Sequence, residues 1–368
     1  MKFYQYFQKG SDVIMEKLDI CVIFGGVSSE HEVSLVSATT IINSLDKSKY
    51  NIHRIGITKD GVWRYFNRDT SDIVNFDVIA GQLPKAIISP DREDSGILLF
   101  TDDSISKIKI DAAIPAMHGK NGEDGTIQGL FELAGIPYIG PGVIGSAICM
   151  DKCVAKIMFK EAGIPQADWV EFRQGEDGEY DKSKIDEVEA KLGYPCFIKP
   201  SNAGSSVGIS KASSRDELIA GLSLAFEHDY KVLVEEAVNA REVESAVMGN
   251  EEPICAPILG EIVSGAEFYD YDDKYKNGVS QLLMPAPVDE DTANKIRNYA
   301  IKAYKICECK GLSRVDFFVD KDTGEIKLNE INTLPGFTSI SMYPKLWAES
   351  GLPIGELLDK LIEYGLSN

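Results

Sequence analysis

Four residues close together in the chain could handle phosphate and a divalent cation. Asp316, Glu330 and Asn332 offer two carboxylates and an amide oxygen. These are the hard oxygen ligands that magnesium takes when phosphate supplies the rest of its shell. Arg314, two residues before Asp316, could hold a phosphate or an oxyanion with its planar fork. The element that must position them is a β-hairpin. Two apolar runs, Ser313–Val319 and Glu325–Asn329, flank the glycine-containing turn Asp320–Gly324. Side chains alternate faces along a strand, so Arg314 shares a face with Asp316, and Glu330 with Asn332. Pairing the strands then brings all four together. Singly, each reads as a solvated charge on an exposed hairpin. The foursome followed by Asn332–Gly336 reads as a site.

Other stretches supply further candidates. Leu18–Phe24 is an apolar strand running into Gly25 and Gly26, and Val33–Leu45 then has helical periodicity. Strand, glycine turn and helix open an α/β unit whose helix start suits an anion. Two adjacent glycines without a third are not a dinucleotide fingerprint. A second buried-looking strand, Asp111–Met117, ends at His118 and an acidic glycine turn through Gly125, before a helix Thr126–Ala134. His118 reads equally as a satisfied structural histidine and as a site residue. Val143–Ala162 is predicted as one helix carrying Asp151 and Lys152, ended by Gly163–Pro165. In the next unit, Trp169–Phe172, Cys196–Pro200, Val207–Lys211 and Val232–Glu235 read as strands, and Ile185–Leu192 and Arg215–Phe226 as helices. The small, hydroxyl-rich loop Pro200–Gly208 offers backbone N–H groups to phosphate, with Lys199 beside it. The same composition also describes a flexible surface hairpin. No Gly-Lys-Ser/Thr opens a helix there, so it is not a P-loop. Further on, Glu242–Gly249 and Ile254–Val263 are strands, and the aromatic loop Ser264–Gly278 suggests a lid. Helices are expected over Asp289–Glu308, Tyr343–Glu349 and Ile354–Tyr364. Residues 64–110 are weakly patterned.

Composition narrows the classes. The 368 residues suggest two or three domains, and 44% hydrophobic with 26% charged residues is an ordinary globular balance. A net charge of −20 argues against nucleic acid or an anionic membrane as partner, yet leaves room for a nucleotide in a local basic pocket. No apolar run is long enough to span a bilayer. Residues 1–14 lack the apolar core of a signal peptide and read as an upstream extension before Met15, so a cytoplasmic location is expected. The seven cysteines are odd in number and lack paired zinc spacing, which predicts free thiols.

Taken together, Gly25–Leu35, His118–Gly129, Phe197–Lys211, Glu267–Tyr275 and Arg314–Ser341 resemble the D-alanine–D-alanine ligase family of ATP-grasp enzymes, in the family's order and over nearly the whole chain from Leu18. The resemblance implies a three-domain α/β (α+β) ATP-grasp architecture. A parallel N-terminal α/β domain would span 15–140, a central ATP-grasp domain 141–235, and a C-terminal one 236–368 with the lid at 264–278. It implies that ATP phosphorylates the carboxylate of a first D-alanine and that a second D-alanine attacks the acyl phosphate, as in peptidoglycan precursor synthesis. By the same resemblance, Asp316, Glu330 and Asn332 hold two magnesium ions, with manganese an alternative. Lys152 and Lys199 contact the phosphates, and Ser206 and Val207 close over them. Glu235, Glu236, Val238 and Glu242 line the adenine and ribose pocket, with Phe268 and Leu328 beside the base. Position 236 carries Glu where relatives often carry Lys. Glu30 takes the first substrate's ammonium near His118. Arg314 and the Gly336 N–H form an oxyanion hole, while Glu30, Ser205 and Tyr275 link the domains. Lys274 and Ser341 bind the second carboxylate. A homodimer is expected.

Two readings compete. Another ATP-grasp carboxylate–amine ligase would not need Glu30, Tyr275 and the Asn332–Gly336 run. A nucleotide-binding regulator with a dead site would have lost a metal ligand, Arg314 or Glu30, and all are present. Within the family, D-serine or D-lactate can replace the second D-alanine. Tyr275 matches the D-alanine users, and Met342, where the other branches tend to carry arginine, offers an apolar wall suited to a methyl group.

Overall fold

The computed structural model describes residues 16–263 and 281–367. Its first unit comprises β1 (Leu18–Gly25), α1 (His31–Ser44), β2 (Tyr50–Ile57), β3 (Trp63–Tyr65), α2 (Phe76–Ile79), β4 (Lys85–Ile88), β5 (Gly96–Phe100), β6 (Ile105–Lys109), β7 (Ala112–Ala116) and α3 (Thr126–Ala134). The seven strands form one sheet in the order β6-β5-β4-β3-β2-β1-β7. β1 pairs in parallel with β2 and β7. Its apolar run is buried on both faces, as a central parallel strand must be. Residues 64–110 extend the sheet in antiparallel fashion through short strands that are partly exposed. That exposure explains their weak hydrophobic pattern.

Where one helix is predicted over 143–162, two are found, α4 (Val143–Met150) and α5 (Lys152–Glu161). Asp151 lies between them in extended conformation (φ −87°, ψ 100°), and its carboxylate caps the Val154 N–H at 3.1 Å. The same carboxylate accepts from Ser201 and pairs with Lys231. The break is therefore made by distant partners that a helical period does not register.

The second sheet is antiparallel in the order β10-β9-β11-β8, with β8 (Trp169–Arg173), β9 (Cys196–Pro200), β10 (Ser210–Ala212) and β11 (Lys231–Glu236). α6 (Ser183–Lys191) and α7 (Arg215–Phe226) cover one face, burying Ile198, Val232 and Val234 against Ile185, Leu218 and Leu222. The opposite face carries Lys199 and Glu235.

The third sheet contains β12 (Ala240–Met248), β13 (Ile254–Cys255), β14 (Gly260–Val263), β15 (Gln281–Leu283), β16 (Leu312–Asp320) and β17 (Ile326–Asn332), in the order β15-β14-β12-β16-β17 with β13 on β12. The single strand predicted over 254–263 is interrupted at 256–259, where Pro257 removes a ladder donor. α8 (Glu290–Ile306), capped by Asp289, packs on this sheet. α9 (Met342–Glu349) and α10 (Ile354–Leu366) close the chain. Their Trp347, Leu358 and Leu361 share one core with Phe24, Ile41 and Ile42. The first and third units thus meet through apolar burial, and a cleft of about 920 Å³ opens where all three converge.

Candidate active site

The predicted hairpin is β16–β17, and its register sets the site. Arg314 lies opposite Asn332, and Asp316 opposite Glu330, all facing the cleft. The Arg314 guanidinium donates to both Asp316 oxygens, at 2.8 and 2.7 Å, and approaches Glu244 at 3.2 Å. Asn332 Nδ2 donates to Asp316 Oδ2 at 2.8 Å. Burial opposes charge on Arg314, but Asp316, Glu244 and Glu330 more than offset it and hold the guanidinium firmly protonated. Glu244 was missed from sequence. Its signal was present, since Glu242 and Glu244 alternate with the buried Val243 on β12 and face the same way as Asp316.

Leu328 is a correction. Strict alternation from Glu330 would turn it toward the cleft. A bulge opposite Asp316 and Phe317 inserts Asn329, so Leu328 pairs with Phe317 and faces the core with no exposed surface. Asn329 and Phe318 line the cleft instead.

The facing wall is basic. Lys152 Nζ donates to the Ala203 carbonyl at 2.6 Å, and Lys199 Nζ to Glu235 at 2.6 Å. The other Glu235 oxygen meets Lys156, a residue that no motif had singled out. Burial raises the Glu235 carboxyl, but Lys156 and Lys199 outweigh it and hold the group down at about 2. Glu236 is committed to Lys327 at 2.6 Å and to the Asp168 N–H at 3.1 Å. Val238 and Glu242 also line the cleft. In the loop between β9 and β10, Ser205 and Ser206 have φ of +48° and +60°, a left-handed strain for side-chain-bearing residues that aims both at the cleft. Val207 departs from expectation. Its N–H turns back to the Gly204 carbonyl at 3.1 Å, and it is not among the described residues that line the cleft.

At the far end, Glu30 precedes α1 and is nearly buried at 9% exposure. Ser205 donates to its Oε1 at 2.5 Å, tying the second unit to the first. Gly119 and Gly204 press against the same carboxylate, and a Cβ on either would come within 2.5 or 2.7 Å of Oε2. His118 Nε2 meets Ser37 Oγ at 2.9 Å, and its Nδ1 meets the Leu334 carbonyl at 3.0 Å. Burial pushes the imidazole toward its neutral form against the pull of Glu30. Nδ1–H then donates to the Leu334 carbonyl, and the Ser37 hydroxyl donates to Nε2. Glu123 accepts from the Gly119 N–H at 2.7 Å and from the Leu334 N–H at 3.2 Å, bridging the first and third units. Burial and then Glu30 push its carboxyl up to about 8. Glu123 belongs to the acidic glycine turn that follows His118, and its sequence context assigns it no role. Gly336 has no room for a side chain, since a Cβ would stand 2.7 Å from Ser341 Oγ. Ser341 accepts the Thr338 N–H at 3.0 Å. Met342 lies in the cleft floor at 3% exposure, folded over Gly260. The expected Phe268, Lys274 and Tyr275 lie outside the described residues.

Among the described residues, no three carboxylate, imidazole or thiol groups converge to hold a metal alone. Asp316, Glu330 and the Asn332 amide fit a hard cation whose remaining ligands are phosphate oxygens.

Comparison with known proteins decides the family. The models described as D-ala D-ala ligase N-terminus and D-ala D-ala ligase C-terminus match residues 19–141 and 158–363. The chain belongs to the D-alanine–D-alanine ligase family. A D-alanine–D-alanine ligase of Ruminiclostridium cellulolyticum is 51% identical over 361 residues, covering 95% of each chain. The crystal structure of the VanG D-Ala:D-Ser ligase from Enterococcus faecalis is 41% identical with a TM-score of 0.85, covering 95% of this chain and all (100%) of that one. The D-alanine–D-alanine ligase from Coxiella burnetii is 33% identical with a TM-score of 0.82, covering 95% and 96%. D-alanine–D-alanine ligases are ATP-dependent ligases of the ATP-grasp fold, and the three-sheet α/β architecture around one polarised cleft is that fold. Among the described residues, no helix is long and apolar enough to cross a membrane.

Proposed function

We propose that the chain joins two D-alanines to D-alanyl-D-alanine at the expense of ATP, for peptidoglycan precursor synthesis. The observation that carries this reading is the polarity of one cleft. Lys152 and Lys199 line one wall, Arg314, Asp316, Glu330 and Asn332 the other, and the Glu30–Ser205 bond closes the end. In the reaction, ATP phosphorylates the carboxylate of the first D-alanine. The amine of the second attacks the acyl carbon, and the tetrahedral intermediate expels phosphate. Such chemistry needs positioning and charge stabilisation more than covalent help from the protein. Glu30 holds the first ammonium, with neutral His118 beside it. Lys152, Lys199 and the 205–206 loop hold the phosphates, while Glu235, Val238 and Glu242 line the nucleoside pocket. Arg314 and the Gly336 N–H stabilise the oxyanion, and Ser341 receives the second carboxylate. Asp316, Glu330 and Asn332 would hold magnesium, or manganese, which supplies charge neutralisation at the phosphates. The roles of Lys274, Tyr275 and Phe268 remain those the resemblance implies.

Three domains, 15–140, 141–235 and 236–368, a homodimeric assembly and a cytoplasmic setting without nucleic acid or membrane partners complete the proposal. The similarity to a D-Ala:D-Ser ligase raises a second reading, D-serine as acceptor. The apolar thioether of Met342 favours a methyl group, although such a wall rejects a hydroxyl by only about a hundredfold. Phosphate release with ATP, magnesium and first-site D-alanine, measured for each acceptor, tests both. D-alanine should give the highest kcat/KM, D-serine a poor one and D-lactate a negligible one. A preference for D-serine or D-lactate overturns the acceptor assignment, and no release with any acceptor overturns the ligase reading.

A further inference from the structure

Lys156 sits one helical turn beyond Lys152 on the same face of α5, but far deeper, at 2% exposure. A buried ammonium is costly unless paired, and its partner here is Glu235. Yet Glu235 already has a partner in Lys199, on its other oxygen at 2.6 Å. The carboxylate therefore does not need two lysines for its own neutrality. Two lysines against one carboxylate leave one net positive charge, and of the two, Lys199 is the one that lines the cleft. From there Lys199 also senses Glu330 and Glu242 across the gap.

We propose that Lys156 is a positioning residue of the phosphate site, neutralising Glu235 from below so that Lys199 keeps its charge for the nucleotide's phosphates. This rests on the nucleotide reading above. With Lys156 absent, Glu235 claims Lys199 outright and the basic wall loses one charge. The geometry accounts for a lysine where Leu or Met would pack at no electrostatic cost.

The test compares ATP with adenosine, each displacing a fluorescent ATP analogue from the full-length chain. Their affinity ratio isolates the phosphates, because any change in the adenine contacts cancels. Lys156→Met should lower the ratio about tenfold, the loss of one charge-assisted hydrogen bond. Lys156→Arg, which keeps the charge, should restore most of it. Glu235→Gln should move the ratio the opposite way, because it leaves two uncompensated cations, and this arm stands even where Lys156→Met does not fold. Equal weakening of ATP and adenosine in Lys156→Met would make the lysine merely structural. No change in that variant, or a fall in the ratio for Glu235→Gln, would also overturn the proposal. A wild-type chain that binds no ATP refutes the nucleotide reading itself.

Discussion

Replacing Ser205 with Ala removes the hydrogen bond that joins the 201–209 loop to Glu30, two residues 175 positions apart in the chain. The change is clean. Ala carries the same Cβ, so the left-handed backbone at φ +48° is strained equally before and after. What is lost is a hydroxyl donating to a nearly buried carboxylate, and such charge-assisted bonds contribute about 1.5–3 kcal/mol. Ser205 is itself only half-buried, so the lower end applies, about 1.5–2 kcal/mol, or roughly a 10- to 30-fold loss in the population that holds the loop against Glu30. Because Glu30 is proposed to hold the first substrate's ammonium, the loss should appear in KM for first-site D-alanine. Saturated kcat should move less. The decisive assay is a double-mutant cycle with Glu30→Gln, read in kcat/KM, alongside hydrogen exchange of residues 201–209. Coupling of about 1 kcal/mol or more is expected, with faster exchange in the loop. Additivity within about 0.5 kcal/mol and unchanged exchange would refute the link.

Glu330→Gln should abolish turnover in magnesium while the melting temperature holds, because the change is nearly isosteric; near-normal activity would remove Glu330 from the metal set. Arg314→Lys keeps a charge but loses the fork that grips both Asp316 oxygens. It should cut kcat about a hundredfold with little change in KM for ATP, and a defect confined to that KM would reassign Arg314 to the nucleotide. Leu328→Ala should cost about 2–5 kcal/mol of stability, as for a fully buried leucine, and leave ATP affinity intact; a weakened affinity in a stable variant would return Leu328 to the adenine pocket. For pH, the Glu123 carboxyl is raised from its ordinary 4.5 to about 8 in the folded chain. A raised pKa means that its stabilising contribution is complete below about pH 4.5 and is lost as pH rises toward 8. Glu123→Gln, which does not titrate, should flatten that decline in thermal melts of the ligand-free chain, and an unchanged slope would show that Glu123 does not carry it.

The hairpin that bears Arg314, Asp316, Glu330 and Asn332 was legible because everything that makes it is local: two alternating apolar runs, one glycine turn, and polar residues at a spacing of two. Helices Thr126–Ala134 and Arg215–Phe226 were legible for the same reason, and the structure has them at those bounds. The acceptor and adenine roles came from resemblance to a family, since no periodicity speaks of a ligand. The tertiary structure decided the rest. Asp151 breaks a helical run because Ser201 and Lys231 reach it from the second sheet. Asn329 bulges out of β17 and so turns Leu328 into the core, which an ideal alternation would not do. Lys156, Glu123 and Glu244 were ordinary charged residues in the sequence, and they matter because each meets a partner far along the chain, Lys156 and Glu244 fully buried and Glu123 partly so. Local pattern records which face a residue takes on its own element. Whether a charge on that face meets water or an opposing charge depends on what packs against it, and that is set by contacts between units that the linear order does not contain.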